Sequence, residues 1–185
     1  MTQNPHPPGA LAFFGGKVQR IRLPALPPSE SPRVSAPKRI TLPTGELAQL
    51  TGGETDFRYI ACLELREGTL RGNHRHERKQ ESLYLMSGAA SVHALNPETG
   101  ERAIVDLQPG DLIRIAPGIA HALVVHASGM AVEFAPEPFD PMDTQPFPVV
   151  SQKSHLECGS KAPALSRTTR GTKINSHPAT NARSP

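Results

Sequence analysis

Cysteine is scarce in this chain, apolar runs are short, and basic residues are nowhere gathered into a patch. Cys62 and Cys158 are the only cysteines, and Cys158 lies in a polar stretch near the C-terminus, so neither a disulfide framework nor a thiolate zinc site is supported. A reducing compartment fits. No segment approaches the ~18 consecutive apolar residues of a membrane-spanning helix. The opening MTQNPHPPGALAFFGG has neither the basic start nor the long apolar stretch of a secretion signal. The expectation is a soluble cytoplasmic protein. Proline is nearly missing from the middle, where only Pro97, Pro109 and Pro117 fall between residues 49 and 135, the other 17 of the 20 lying outside. Net positive charge is missing there too: residues 1–48 carry +4, residues 49–150 carry −6 and residues 151–185 carry +5. Lys153, Lys161, Arg167, Arg170, Lys173 and Arg183 are scattered among Ser, Thr, Asn and Pro. A nucleic-acid footprint needs such side chains organised on one surface, so none is expected.

These shifts divide the chain into a Pro-rich N-terminal arm over residues 1–39, a folded part over 40–150 and a disordered basic tail over 151–185. Prolines in PHPP, LPALPPSESP and SAPK remove backbone donors and favour extended linker, with room for one short strand at Val18 to Leu23. From residue 40 the text changes to short runs rich in Val, Ile, Leu, Phe and Tyr: RITLP, DFRYIACLELR, ESLYLMS, ASVHAL, RAIVDL, DLIRIA, HALVVHA and MAVEFA. NPETG is a hairpin connection with Gly100 free to take positive φ, and QPGD at 108–111 is a second turn. No sustained 3.6-residue period occurs; GELAQL offers barely a turn and a half of helix. About eight strands at regular spacing predict an all-β sandwich or barrel, and closure into a barrel or jelly roll removes exposed edges.

Within this grammar, RGNHRHERKQES places His74 and His76 one residue apart. Residues i and i+2 of a strand share a face, so both imidazoles project the same way, and if that way is inward their nitrogens need partners. Glu81 is five residues beyond His76, an odd separation, so ERKQ must turn or bulge to return it beside the pair. His121 follows APGIA, where Pro117 and Gly118 give a tight start to HALVV. Three neutral imidazoles and one carboxylate suit a divalent Mn, Fe, Ni, Cu or Zn ion rather than Ca or Mg. A His-x-His pair alone is more commonly a water-bonded surface pair; the whole spacing is the specific feature.

Gly68, His74, His76, Glu81 and Gly88 reproduce without a gap the first signature of the cupin superfamily, which this chain resembles. Gly110, Pro117, Gly118 and His121 resemble the second, with Ala116 where that signature has proline and Val125 where it has asparagine. The resemblance covers about residues 40–140. It implies a double-stranded β-helix, or jelly-roll barrel, with a metal at His74, His76, Glu81 and His121, and a homodimer exchanging N-terminal strands. RGNHRH with its glutamate, and EPFDP at 137–141, are similar to the cupin domains of capsular-polysaccharide proteins and small sugar-nucleotide isomerases.

The resemblance fixes a site better than a reaction. The leading expectation is a metal-dependent enzyme acting on a small carbonyl compound or sugar derivative, isomerase- or epimerase-like. An Fe-dependent dioxygenase and a noncatalytic small-ligand sensor are the alternatives. Leu83 and Leu85 share the face of Glu81, and Leu123 and Val125 that of His121, so the wall beside the ion is apolar. Tyr84 and His126 have the wrong parity and face away. No catalytic residue is assigned; Arg71, placed for the barrel mouth, and His93, whose phase Gly88 interrupts, are the candidates.

Overall fold

The computed structural model describes residues 10–53 and 56–151, so that all of the tail except Ser151 lies outside the described residues. In the former arm run β1 (Ala10–Phe13), β2 (Val18–Arg22), β3 (Ala25–Leu26) and β4 (Lys38–Leu42). There follow β5 (Gly45–Gln49), β6 (Tyr59–Leu65), β7 (Leu70–His76) and the long β8 (Glu81–Leu95). The remainder are β9 (Arg102–Leu107), β10 (Asp111–Ile115), the long β11 (Ala120–Ala135) and β12 (Thr144–Pro146). Only single turns of 3-10 helix occur among the described residues, and no helix there is long and apolar enough to cross a membrane.

The barrel is organised by β8 and β11, which pair with each other antiparallel over nearly their whole length. The first half of β8 and the last half of β11 sit in one layer, flanked by β10, β2 and β1 on one side and β6 on the other. Their other halves sit in the opposite layer, flanked by β9, and by β7 and β12. ESLYLMS and ASVHAL are therefore one strand, and so are HALVVHA and MAVEFA. Glycine at the bend does not end the strand; it lets two backbones meet closely enough for both to pass from one layer to the other. A Cβ on Gly88, which has φ +86°, would lie 2.6 Å from the Ala127 carbonyl oxygen, and one on Gly129 only 2.1 Å from that of Ser87.

Side chains of one parity fill the space between the layers. Leu83, Leu85, Val92, Ala94, Val105, Leu107, Ile113, Ile115, Leu123 and Val125 belong to a single buried cluster. Residues of the other parity form an outer cluster of Ile21, Leu23, Tyr84, Leu112 and Phe134, against which Ala48 and Leu50 pack from beside the small sheet β3-β4-β5. Tyr84 thus packs on the outer layer, as its parity predicts.

The N-terminal segment is more regular than its prolines suggest. The strand expected at 18–23 is present as β2, and Val18 and Leu23 have no exposed surface. Asp111, fully buried at the start of β10, accepts from Arg20 and Arg22 at 3.1 Å each and from the Gln108 amide at 2.8 Å, fastening β2 to the barrel. GELAQL, helical at best by period, pairs as β5 with β4, because the hairpin gives its backbone partners that one isolated helical turn lacks. The expected turns are present: the Gly100 amide donates to Asn96 at 2.8 Å and the Asp111 amide to Gln108 at 2.9 Å.

A methyl group at the bend has nowhere to go, because its neighbours there are backbone. Gly129→Ala is expected to cost about 3 kcal/mol, the upper end of overpacking effects, read as a lower midpoint in chemical denaturation. A loss under about 0.5 kcal/mol, the range of neutral surface changes, would show that the two strands are not clamped there.

Candidate metal centre

β7 carries two of the predicted ligands, β8 opens on the third and β11 supplies the fourth in its second position. Gly72 and Asn73 both take positive φ, at +78° and +61°, and β7 slips register against β11 beside them. That irregularity leaves His74 opposite His121. The Pro117–Gly118 turn is tied to the same strand, since the Gly118 amide donates to the His76 carbonyl at 2.7 Å. Residues 77–80 turn between β7 and β8 and bring Glu81 back beside the histidines, as the odd spacing requires.

The four side chains converge: one donor atom from each of His74, His76, Glu81 and His121 lies within 4.8 Å of the others. Glu81 sits between two imidazoles, with His76 Nε2 3.4 Å from Oε2 and His121 Nε2 3.4 Å from Oε1. The Nε2 atoms of all three histidines are buried without a hydrogen-bond partner. Such nitrogens are costly unless something accepts their lone pairs or takes their protons. Donors that share an ion at ~2.1 Å stand ~3–4 Å apart, so this set could hold a divalent ion after small side-chain shifts.

Tautomers point the same way. The His121 Nδ1 is 3.2 Å from the Ile119 carbonyl and the His76 Nδ1 is 3.3 Å from the Asp143 carbonyl. A carbonyl only accepts, so each Nδ1 carries a proton, which leaves each Nε2 as the atom able to present a lone pair to an ion. Burial, followed by the neighbouring His121, holds the His74 imidazole down at about 4, which keeps it neutral. Burial pushes the Glu81 carboxyl up, but His121, His76 and Lys79 outweigh it and hold it well below the usual carboxylate range. His121 moves oppositely: burial lowers it and the Glu81 carboxylate more than offsets that.

Sequence reasoning missed three residues around this centre. Lys79, 8 % exposed, donates from Nζ to Glu81 Oε2 at 3.2 Å and to Glu133 Oε1 at 2.5 Å, with its ammonium 4.6 Å from the centre of the Tyr59 ring. Burial disfavours that charge, but Glu81 and Glu133 outweigh it and raise the Lys79 pKa. Burial and then Glu81 raise the Glu133 carboxyl against the opposing pull of Lys79. Parity was the available signal: Lys79 shares the register of Glu81, and Glu133 is the one charge in MAVEFA, opposite Leu83 and Ala61. Asp143, whose carboxylate receives the amides of Glu77, Arg78 and Lys79, gives no such signal.

Arg71 stands opposite Leu123 on the exposed end of β7 and lines an open cavity of about 450 Å³ with Leu63 and Arg66. The structure does not bring His93 to the cluster. It lies between the inward Val92 and Ala94 and bonds Ser91 Oγ at 3.2 Å on the outer face, where His126 bonds the same hydroxyl at 2.8 Å.

No family model matches the chain, and no curated protein matches it by sequence. Solved structures do. A sugar 3,4-ketoisomerase from Thermoanaerobacterium thermosaccharolyticum, crystallised with TDP, superposes with TM-score 0.56 at 16% identity over 76% of this chain and 93% of that one. The chain has the cupin fold. The dTDP-4-dehydrorhamnose 3,5-epimerase of Sulfolobus tokodaii gives TM-score 0.57 at 15% identity, covering 74% of this chain and 80% of that one. The 3,5-epimerase of Legionella pneumophila in complex with dTDP-4-keto-L-rhamnose gives 0.55 at 16% identity, covering 73% and 74%. These cupins are sugar-nucleotide isomerases and epimerases, in line with the likeness of RGNHRH and EPFDP to that group.

The depressed His74 pKa has a sign that can be measured. An unfolded histidine titrates near ~6.5, so between that pH and 4 the unfolded chain binds the proton that folded His74 refuses. Its contribution to stability is full above ~6.5 and drains as the pH falls toward 4. Ring ¹⁵N titration of the metal-free protein should place the His74 midpoint at about 4; a midpoint near ~6.5 would mean an open, hydrated imidazole.

Proposed function

We propose that this cupin is a metal-dependent isomerase or epimerase of a small keto compound, with a keto-sugar carried on a nucleoside diphosphate as the substrate class. The observation that carries the reading is the Lys79–Glu133 pair, set on the inner face beside the four-donor cluster and bonded to its only carboxylate. A noncatalytic sensor has no use for a second, partly buried carboxylate next to its ligand site. A dioxygenase gains its reactivity from the ion and oxygen and does not call for one either. An isomerase does, because a proton must leave a carbon next to a carbonyl and return to another carbon or another face.

His74, His76, Glu81 and His121 would hold the ion, which when bound polarises the substrate carbonyl. Glu133 is the proton carrier of this reading. Its raised pKa brings it nearer the range in which a carboxylate can take a proton and give it back, and Lys79 fixes its orientation. The reaction is internally balanced: one C–H bond breaks and one forms, in an isomerisation the neighbouring hydroxyl proton also passes to the former carbonyl oxygen, and no oxidant or reductant is consumed. The apolar wall of Leu83, Leu85, Leu123 and Val125 keeps water from the carbanion-like intermediate. Arg71, at the cavity beside β7, offers positive charge for a diphosphate, whereas Arg66 in the same lining is paired with Glu64. Relatives in fold act on or bind such ligands: the ketoisomerase has been crystallised with TDP-4-keto-6-deoxyglucose. A homodimer belongs to the same reading, since β1 is the edge of its layer and Leu11 on it is 51 % exposed.

The test is solvent exchange. Incubated in D₂O with TDP-4-keto-6-deoxyglucose, the metal-loaded protein should incorporate deuterium next to the keto carbon, followed by proton NMR. Glu133→Gln should slow that exchange by roughly 10²-fold or more with little change in folding. Exchange equal in the variant would remove Glu133 from the role, and none in the wild type would turn the reading toward the sensor.

A further inference from the structure

Asp143 is buried, yet it belongs to no core cluster and lies far along the chain from the ligands, in the short turn Pro141–Asp143 that precedes β12. Its carboxylate faces three consecutive backbone amides of the turn that joins His76 to Glu81. Oδ1 accepts from Glu77 and Arg78, each at 3.1 Å, and Oδ2 accepts from Lys79 at 3.0 Å. Successive amides gathered on one anion form a nest, and the anion fixes the curvature of the loop that makes it. The same residue reaches His76 twice, through its carbonyl oxygen 3.3 Å from Nδ1 and through Oδ2 3.6 Å from it. The next residue, Thr144, stands opposite His76 in the β7–β12 ladder.

We infer that Asp143 is a positioning residue for the four-donor site: it shapes the 77–80 turn so that Glu81 and Lys79 return beside His76, and it turns the His76 Nε2 lone pair to the centre. The inference rests on the metal reading proposed above. His121 obtains the equivalent Nδ1 bond from Ile119, two residues away on its own chain segment. For His76 the partner arrives from 67 residues downstream. The segment after the barrel therefore belongs to the site, although it supplies no ligand. Any change that lifts residues 140–146 off β7 releases His76 and the loop together. Asp140 holds the same segment from outside the nest, its carboxylate capping the Pro141–Asp143 turn through the Met142 amide and pairing with the Arg78 side chain.

Co(II) is the probe, read both by affinity and by its visible absorption band. Asp143→Asn keeps one accepting oxygen but turns an amide N–H₂ toward N–H or imidazole donors. Affinity should fall by roughly 10–100-fold, the usual effect of losing a ligand-orienting partner, and the band should shift, while Asp106→Asn, at an exposed position on β9, leaves both as they are. Asp143→Glu, which restores the charge on a longer arm, should recover part of the affinity. Wild-type protein that takes up no Co(II) defeats the metal reading itself. Wild-type binding with Asp143→Asn unchanged, in both affinity and band, defeats this inference alone. Should the variant not fold, ring ¹⁵N shifts of His76 in metal-free wild-type protein decide: the proton is expected on Nδ1, and a proton on Nε2 would overturn the proposal.

Discussion

Three imidazole nitrogens aimed into an apolar barrel, with one carboxylate between two of them, are the constraint around which this molecule is arranged. Left alone they are expensive, since lone pairs and a negative charge are taken from water and given no partner. The surroundings answer in layers. Carbonyl oxygens of Ile119 and Asp143 hold the protons of two rings on the outer nitrogens. Lys79 brings a positive charge to Glu81 Oε2, the oxygen that His76 also approaches, and Glu133 accepts from the same ammonium. With neutral imidazoles, Glu81, Lys79 and Glu133 sum to −1, a balance that favours a cation over an anion at the centre.

The barrel exists to hold that arrangement still. β7, β8 and β11 each bring their ligand from a different register, so a slip of one residue in any of them would turn a ligand to the outer face. Gly88 and Gly129 pin the β8–β11 register by letting the backbones touch, and the Gly118–His76 bond pins β11 to β7 at the ligand level. Asp111, bonded to Arg20 and Arg22, extends the same layer to the N-terminal strands. Local glycine chemistry and long-range pairing point to one structure, which is the condition for a sequence to specify it.

Much of this was legible because alternation is a two-state code. Once His74 and His76 were assigned to the inside, Leu83, Leu85, Leu123 and Val125 followed, and Tyr84 went outward; the buried clusters divide the same way. What the code hides is continuity and distance. Gly88 reads as a break because a glycine inside a strand usually marks one, yet here it lets a single strand bend between layers. GELAQL carries too little pattern to declare itself a strand without its hairpin partner. Lys79 and Glu133 were within reach of a parity argument, but charged residues in a barrel register are ordinarily set aside as solvent-facing. Asp143 was not within reach at all, since its role depends on a chain reversal that no local spacing encodes. His93 could not be placed because Gly88 interrupts the phase, and only the continuity of β8 shows that it bonds Ser91 on the outer face.

The donors around an ion loaded into this site are the decisive observable. X-ray absorption at the metal edge of protein loaded with one equivalent of Zn(II) or Co(II) measures them directly. A coordination sphere of three imidazole nitrogens and a carboxylate oxygen at ~2.0–2.2 Å, with the outer-ring scattering of imidazole, is the expected result. A shell without imidazole scattering, or one that persists unchanged when His74 and His121 are both replaced, would place the ion elsewhere and contradict the four-donor site.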